Sequence, residues 1–306
     1  MAIFTPTLKG KLRYLHDFNL KIAGAESNLA IGMQKLGYST GWISRLGKDE
    51  FGHLIISTLK GEGTDVSNVS FDLLHSTGLM IKEFTTFEET NVYYHRENSA
   101  ASFLSPDDIN EDYIKSAKFV HLTGITPLLS ETCYDAIEKL IDIAHKNNIL
   151  ISFDPNIRLK LWKDNDYSQK IKTLLFQSNI IMLGLSEAKI LFNIDDIETI
   201  FSLILSHENI KYLVVKDGKN GAWVGSKTEF YKIDPYKCTV VDSIGAGDAF
   251  NAGFLSGLLE KFELKKCGEI GAICGALATQ SCVDFESYPS REELLNILNN
   301  QQQINR

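Results

Sequence analysis

No apolar run in this chain is long enough to cross a membrane, and its first residues lack a signal pattern, so the membrane is not an expected partner. Basic residues are in deficit. There are 31 Lys and Arg against 39 Asp and Glu, a net charge of -8, which argues against nucleic acid or an anionic membrane as the main partner. A local basic pocket for an anionic small molecule stays compatible with that balance. Cysteine is scarce. The five residues form no Cys-x-x-Cys pair, and their odd number and scatter fit reduced thiols in the cytoplasm, not a disulfide framework. Cys267, Cys274 and Cys282 recur at roughly helical spacing and read as core filler. The seven histidines show no metal-ligand spacing. There is no Gly-x-x-x-x-Gly-Lys-Ser/Thr loop, and Phe250 stands where a dinucleotide fingerprint needs its third glycine.

What the chain does have is concentrated in residues 241–250, Val-Asp-Ser-Ile-Gly-Ala-Gly-Asp-Ala-Phe. An apolar run ends, two glycines flank an alanine, and a helical pattern begins at an aspartate. Such a turn lets backbone amides converge with a helix N-terminus on one anion. Asp248 falls in the first helical turn beside that anion, where a carboxylate can take a proton from a hydroxyl. A phosphate cradle next to a base suits phosphoryl transfer to an alcohol. The plainer reading is an ordinary strand-to-helix turn with Asp248 as a capping acid. The helix that follows has one apolar face (Phe250, Phe254, Leu258, Phe262) and first turns crowded with small residues, which favours the chemical reading.

At 306 residues, 44% hydrophobic and 23% charged, the chain suits one α/β enzyme domain with an appendage. Apolar strands are expected at 119–122, 149–153, 180–183, 212–216 and 239–241, separated by amphipathic helices such as 131–147, with Ser130 as N-cap, and 195–206. This alternation predicts a mainly parallel sheet covered on both faces, with the site at the strands' carboxyl ends. Segments 11–22 and 78–97 break the alternation and read as a small projecting sheet, a lid.

Other candidates carry two readings each. Gly24 lets a ligand lie against the backbone and Asn28 offers an amide to sugar hydroxyls, yet capping by Ser27 or Asn28 explains both equally well. Tyr94 and Arg96 close the second lid segment, and Arg158 follows a sheet strand. Two guanidinium forks suit a carboxylate, and surface ion pairing is the bland alternative. Lys216, Gly218 and Gly221 form a glycine-rich turn suited to nucleotide phosphates, or simply a hairpin. Glu187 is a candidate for hydrated Mg2+, or a helix cap. Small residues over 271–278 leave a slot for an adenine ring, or pack two helices closely.

Together these motifs resemble the ribokinase-like (PfkB) carbohydrate kinases over nearly the whole chain. Residues 24–52 resemble the family's N-terminal signature and 242–250 its C-terminal one. Within the family, residues 41–52, 93–96 with 99–102, 122–125 and 153–162 are most similar to 2-keto-3-deoxygluconate kinases. The resemblance implies one three-layer α/β/α domain over 1–306 with a β-sheet lid, and ATP with Mg2+ for phosphorylating the 6-hydroxyl of a sugar acid. It implies Asp248 as base and the amides of Gly245, Ala246 and Gly247 as anion hole. Gly24, Asn28, Tyr94, Arg96 and Arg158 would contact the sugar acid, with Arg158 on its carboxylate. Lys216, Gly218, Gly221, Gly245 and Gly247 would line the nucleotide site. Glu187 would serve the metal, and Asp242 matches a position that in some members helps bind K+. The lid would also join copies into a homo-oligomer.

Three departures stand out. The family begins with a central strand ending in Gly-Glu, and residues 1–4 start just after that point, so either the start of the chain is misassigned or the sheet is short of a strand. Of the family's magnesium-side Asn-x-x-Glu only Glu187 remains, within Gly184-Leu185-Ser186-Glu187. Met80 replaces a substrate-touching tyrosine. A kinase of a neutral sugar such as fructose or ribose, and a weakly active sugar-binding regulator, stay open as alternatives. The missing third glycine disfavours a dinucleotide oxidoreductase.

Overall fold

The computed structural model describes residues 1–85, 90–162, 165–281 and 284–304, and Cys282 falls outside them. Its strands are β1 (Ala2–Pro6), β2 (Phe18–Ile22), β3 (Ser44–Gly47), β4 (Val69–Asp72), β5 (Leu79–Phe84) and β6 (Thr90–His95). They continue with β7 (Phe119–Thr123), β8 (Leu150–Asp154), β9 (Ile180–Gly184), β10 (Tyr212–Lys216), β11 (Ala222–Gly225) and β12 (Phe230–Ile233). The main sheet has the order β12-β11-β10-β9-β8-β7. β7 to β10 run parallel, and β11 and β12 add an antiparallel edge.

The central strands are near-continuous apolar runs because both of their faces are covered. Alternate residues divide between two cores. Ile180, Met182 and Val214 join the core built with the helices Ala25–Lys35, Ala246–Leu259 and Leu264–Ala278. Ile181, Leu183, Leu213 and Val215 join the other, built with Glu131–Lys146, Ser168–Phe176 and Ile197–Leu205. The helix Glu131–Lys146 shows why: Ala136, Ile137, Leu140, Ile141 and Ala144 share its buried face at helical spacing. Each such aliphatic chain removed from water contributes about 1.5–3 kcal/mol. Ser130 caps this helix by accepting from the Cys133 amide at 3.1 Å.

The small residues of Ala246–Leu259 and Leu264–Ala278 pack the two helices together. A Cβ on Gly253 would stand 2.8 Å from Cys274 Sγ and 2.9 Å from the Ile270 carbonyl, and one on Gly271 would stand 2.9 Å from the Phe250 ring. Close packing, not an open slot, is therefore what these glycines serve.

A second sheet of order β2-β1-β5-β6 draws strands from both segments expected to form a lid. Residues 1–6, which sit in the sequence where a central strand was expected to have just ended, contribute its strand β1, parallel to β5. Residues 11–22 are not one strand: Leu12–Tyr14 is a 3₁₀ turn, its Leu12 amide donating to Glu83 Oε1 at 2.8 Å, and pairing starts at Phe18. β3 and β4 form a separate parallel pair. The strand expected at 239–241 is absent. Val240 and Val241 are exposed, and the Val241 amide donates to the Thr279 carbonyl at 2.7 Å, so this segment is tied to a helix end and not to the sheet. Among the described residues no helix is long and apolar enough to cross a membrane.

Gly253→Ala tests the helix pairing. The better helix propensity of Ala is worth about 1 kcal/mol, against about 1–3 kcal/mol for forcing a methyl into a filled contact. A lower urea midpoint with unchanged slope is expected. An unchanged or raised midpoint would mean the interface is looser than these distances.

Candidate active site

The helix Ala246–Leu259 starts from Gly245, whose φ of 82° lies in the left-handed region. A Cβ there would stand 2.7 Å from the Asp284 carbonyl, so both conformation and space require glycine. The Tyr288 hydroxyl fixes the turn by donating to the Gly245 carbonyl at 2.7 Å. The first turn of a helix leaves amides without intrahelical acceptors, and these carry partial positive charge. Of the three expected anion-hole residues, Ala246 is partly engaged through a long amide bond to the Ser243 carbonyl at 3.3 Å.

Asp248 lies in that first turn, half-buried. Its Oδ2 accepts from Asn28 Nδ2 at 3.0 Å. Burial pushes its pKa up to about 7, the Asn28 amide pulls it down, and the neighbouring Asp154 raises it further. Lys216 and Arg158 lower it only as distant charges. The result is a carboxylate poised near neutrality.

Lys216 ends β10 and is committed to a buried partner. Its Nζ sits 2.7 Å from Asp154 Oδ2 and 3.1 Å from Asn251 Oδ1, while Asn251 Nδ2 donates to the same Asp154 oxygen at 2.6 Å. The lysine holds the Asp154 carboxyl below the usual carboxylate range despite its burial. Lys216 also reaches the helix start, since a Cβ on Gly247 would stand 3.6 Å from its Nζ. Gly218 and Gly221 follow in the turn to β11, both at positive φ.

Glu187 sits beside this group. It takes the Gly184 amide on Oε2 and the Ile157 amide on Oε1, each at 2.6 Å, which ties the ends of β8 and β9 together. Burial and then Asp154 raise its pKa. Glu187 and Asp154 thus repel each other, a repulsion that a divalent cation shared with phosphate oxygens would relieve. Their oxygens already accept from backbone amides, Lys216 and Asn251, and among the described residues no three His, Cys, Asp or Glu side chains gather to hold a metal directly, so this pair suits Mg2+ only through its water shell. Asp242 is not part of it and pairs elsewhere.

At the other end, Arg96 lies 4.4 Å from the Tyr94 ring centroid, reaching in from β6. Burial lowers its pKa, Tyr94 and Glu26 raise it, and Arg158 lowers it, so two guanidinium groups feel each other across the cleft. Arg158 itself is exposed. Gly24 is the N-cap of Ala25–Lys35, and Asn28, in that helix, spends its amide on Asp248. Met80 is buried with Ile3 and Ala23.

Several residues here had no assigned role in the sequence. Asn251 lies one turn after Asp248 on one helix, a spacing that could have flagged it. Glu26 accepts from Thr123 and Thr126 at 2.6 and 2.8 Å, and only the shared strand-end position of Thr123 hinted at this. The structure thus brings together the helix start, Asp248, Asn28, Asp154, Lys216 and Asn251 by direct hydrogen bonds, and Arg158 acts on Asp248 and on Arg96 through its charge.

A family model described as pfkB family carbohydrate kinase matches residues 2–289. A 2-dehydro-3-deoxygluconokinase of Bacillus subtilis (strain 168) is 34% identical, over 99% of this chain and 94% of that protein. A probable fructokinase-4 of Arabidopsis thaliana is 30% identical, over 96% and 93%. The crystal structure of a PfkB protein from Polaromonas sp. JS666 superposes with a TM-score of 0.87 at 31% identity, covering 96% of each chain.

The raised pKa of Asp248 has a cost. Its folded-state value lies above its unfolded one, so its contribution to stability is present at low pH and is lost as pH rises through about 7. Asp248→Asn removes that loss. The variant should melt at least about 2–4 °C above the wild type at pH 8, with the gap narrowing as pH falls below about 7 and closing only near the ordinary carboxylate value of 3.8. A gap independent of pH would show that burial does not perturb this carboxyl.

Proposed function

The chain belongs to the pfkB family of carbohydrate kinases, and within it we propose a kinase that transfers the γ-phosphoryl group of ATP to the 6-hydroxyl of 2-keto-3-deoxygluconate. The observation that carries the chemistry is Asp248, half-buried at a helix start with a pKa near 7. It accepts the proton of the attacking hydroxyl as that oxygen bonds to phosphorus. A base whose pKa matches the working pH is both ionised and strong enough to do so. The amides at Gly245, Ala246 and Gly247 receive the charge on the transferred group, and their direction is fixed before the substrate arrives. Mg2+, when bound, neutralises phosphate charge; Glu187 and Asp154 are the carboxylates of this chain that would hold it through its water shell. Lys216, neutralised by Asp154, stays beside Gly247 and steadies the helix start. Gly218 and Gly221 would border the nucleotide.

The sugar-acid reading is supported by Arg96 and Arg158, like charges held near one another. An anion between them satisfies both, and a bidentate fork suits a carboxylate. Gly24, Asn28 and Tyr94 would line the sugar between these two ends. A neutral hexose such as fructose is the second reading, favoured by the fructokinase relatives at 30% identity.

A panel of keto-deoxy sugar acids, fructose, ribose and nucleosides with MgATP decides between them. The sugar acid should be phosphorylated with the highest kcat/KM, and fructose in that place would overturn the assignment. Arg158→Ala should weaken kcat/KM for the sugar acid about 10–100-fold while leaving a neutral sugar nearly untouched. Asp248→Asn should cut kcat by about 10²–10⁴ with ATP affinity retained. In the wild type, kcat/KM should climb with pH through an apparent pKa near 7. Wild-type turnover in Asp248→Asn would remove the base.

A further inference from the structure

The K+ that the resemblance attaches to Asp242 does not fit the surroundings of that residue. Lys82 reaches down from the lid strand β5 and is fully buried, with 0% of its side chain exposed. Its Nζ stands 3.3 Å from Asp242 Oδ2 and 3.1 Å from Asp284 Oδ1, and these carboxylates are only 6% and 4% exposed. A second monovalent cation drawing on the same oxygens would lie close to the ammonium. Two like charges held that close and shielded from water repel strongly. The coordination that a cation would gain is already used.

The two carboxylates belong to the segments that shape the anion hole. Asp242 leads into the turn at Gly245, and its Oδ1 accepts from the Ile244 amide at 3.1 Å. The Asp284 carbonyl packs against Gly245, and Tyr288, four residues on, holds the Gly245 carbonyl. We infer that the Lys82 ammonium is this chain's own resident cation: it fixes the Asp242 and Asp284 segments beneath the anion hole and makes activity independent of K+. Lys82 touches neither substrate nor reacting atoms, so it is a positioning residue. Removing it would leave two buried carboxylates without a counter-charge in a hole sized for an ammonium group. Such a hole is suited to K+ or NH4+.

The test is a series at constant ionic strength in choline, Na+, K+ and NH4+ chlorides. It is read by turnover on whichever sugar the panel identifies and by thermal unfolding without substrate. Wild-type kcat and melting temperature should be the same in every salt. Lys82→Ala should lose about 10–100-fold in kcat in choline, as expected for a displaced catalytic turn. It should regain turnover and melting temperature in K+ or NH4+. Activation or stabilisation of the wild type specifically by K+ would overturn the inference, as would a Lys82→Ala enzyme fully active in choline. If Lys82→Ala does not fold, Lys82→Met keeps the chain's bulk, and the wild-type salt series stands without any variant. The turnover arm rests on the kinase reading; the unfolding arm does not, so failure of the one is separable from failure of the other.

Discussion

The ammonium of Lys216, shared between Asp154 and Asn251, joins three elements at one point: the ends of β8 and β10 and the helix that carries Asp248. All three groups are largely shielded from water. Removing one partner of such a pair costs about 3–5 kcal/mol, because a bare charge remains inside. The bond therefore fixes the helix relative to the sheet, and with it the place of the Asp248 carboxylate and the helix-start amides. It also sets the electrostatics. A lysine answered by Asp154 lowers the Asp248 pKa only as a nearby charge, and burial remains the dominant influence on that carboxyl.

The core of the fold was legible because its signals are local and redundant. Residues 212–216 are a short apolar run centred on Val214 and Val215, and 131–146 carry a cap and an apolar stripe; both stand where the periodicity put them. The run at 239–241 has the same composition as a strand but no neighbour to pair with, and a carbonyl at the end of Leu264–Ala278 takes its amide. Composition reports what a segment could do, and the availability of a partner edge decides what it does. The small residues of 271–278 were ambiguous for a related reason: glycine permits close approach without saying whether a ring or a helix approaches.

The site was legible in part. The turn before Asp248, whose Gly245 combines a positive φ with a filled corner, announces itself in the sequence. Lys82 does not. In β5 the alternation of Leu79 and Ile81 suggests that these face inward and that Lys82 meets solvent. The reverse holds: Met80 and Lys82 are buried, while Leu79 and Ile81 are only half-covered. A charged residue on the inner face is paid for by carboxylates 160 and 202 residues further along the chain. No local pattern can register a partner at that distance. Glu26 is similar, since its value depends on two threonines that only the folded sheet brings to it.

That separation has a consequence for how the protein is made. Synthesis proceeds from the N-terminus, and folding accompanies it where contacts are available. The lid strand holding Lys82 leaves the ribosome long before Asp284 does. Until the last part of the chain emerges, the lysine has no buried partner and no reason to leave water. The lid can thus settle onto the body only after most of the polypeptide has been translated, and a chain interrupted before that stage would keep its future catalytic turn loose. The ion cluster can form only once the chain extends past Asp284, and the turn at Gly245 is held from both sides only then.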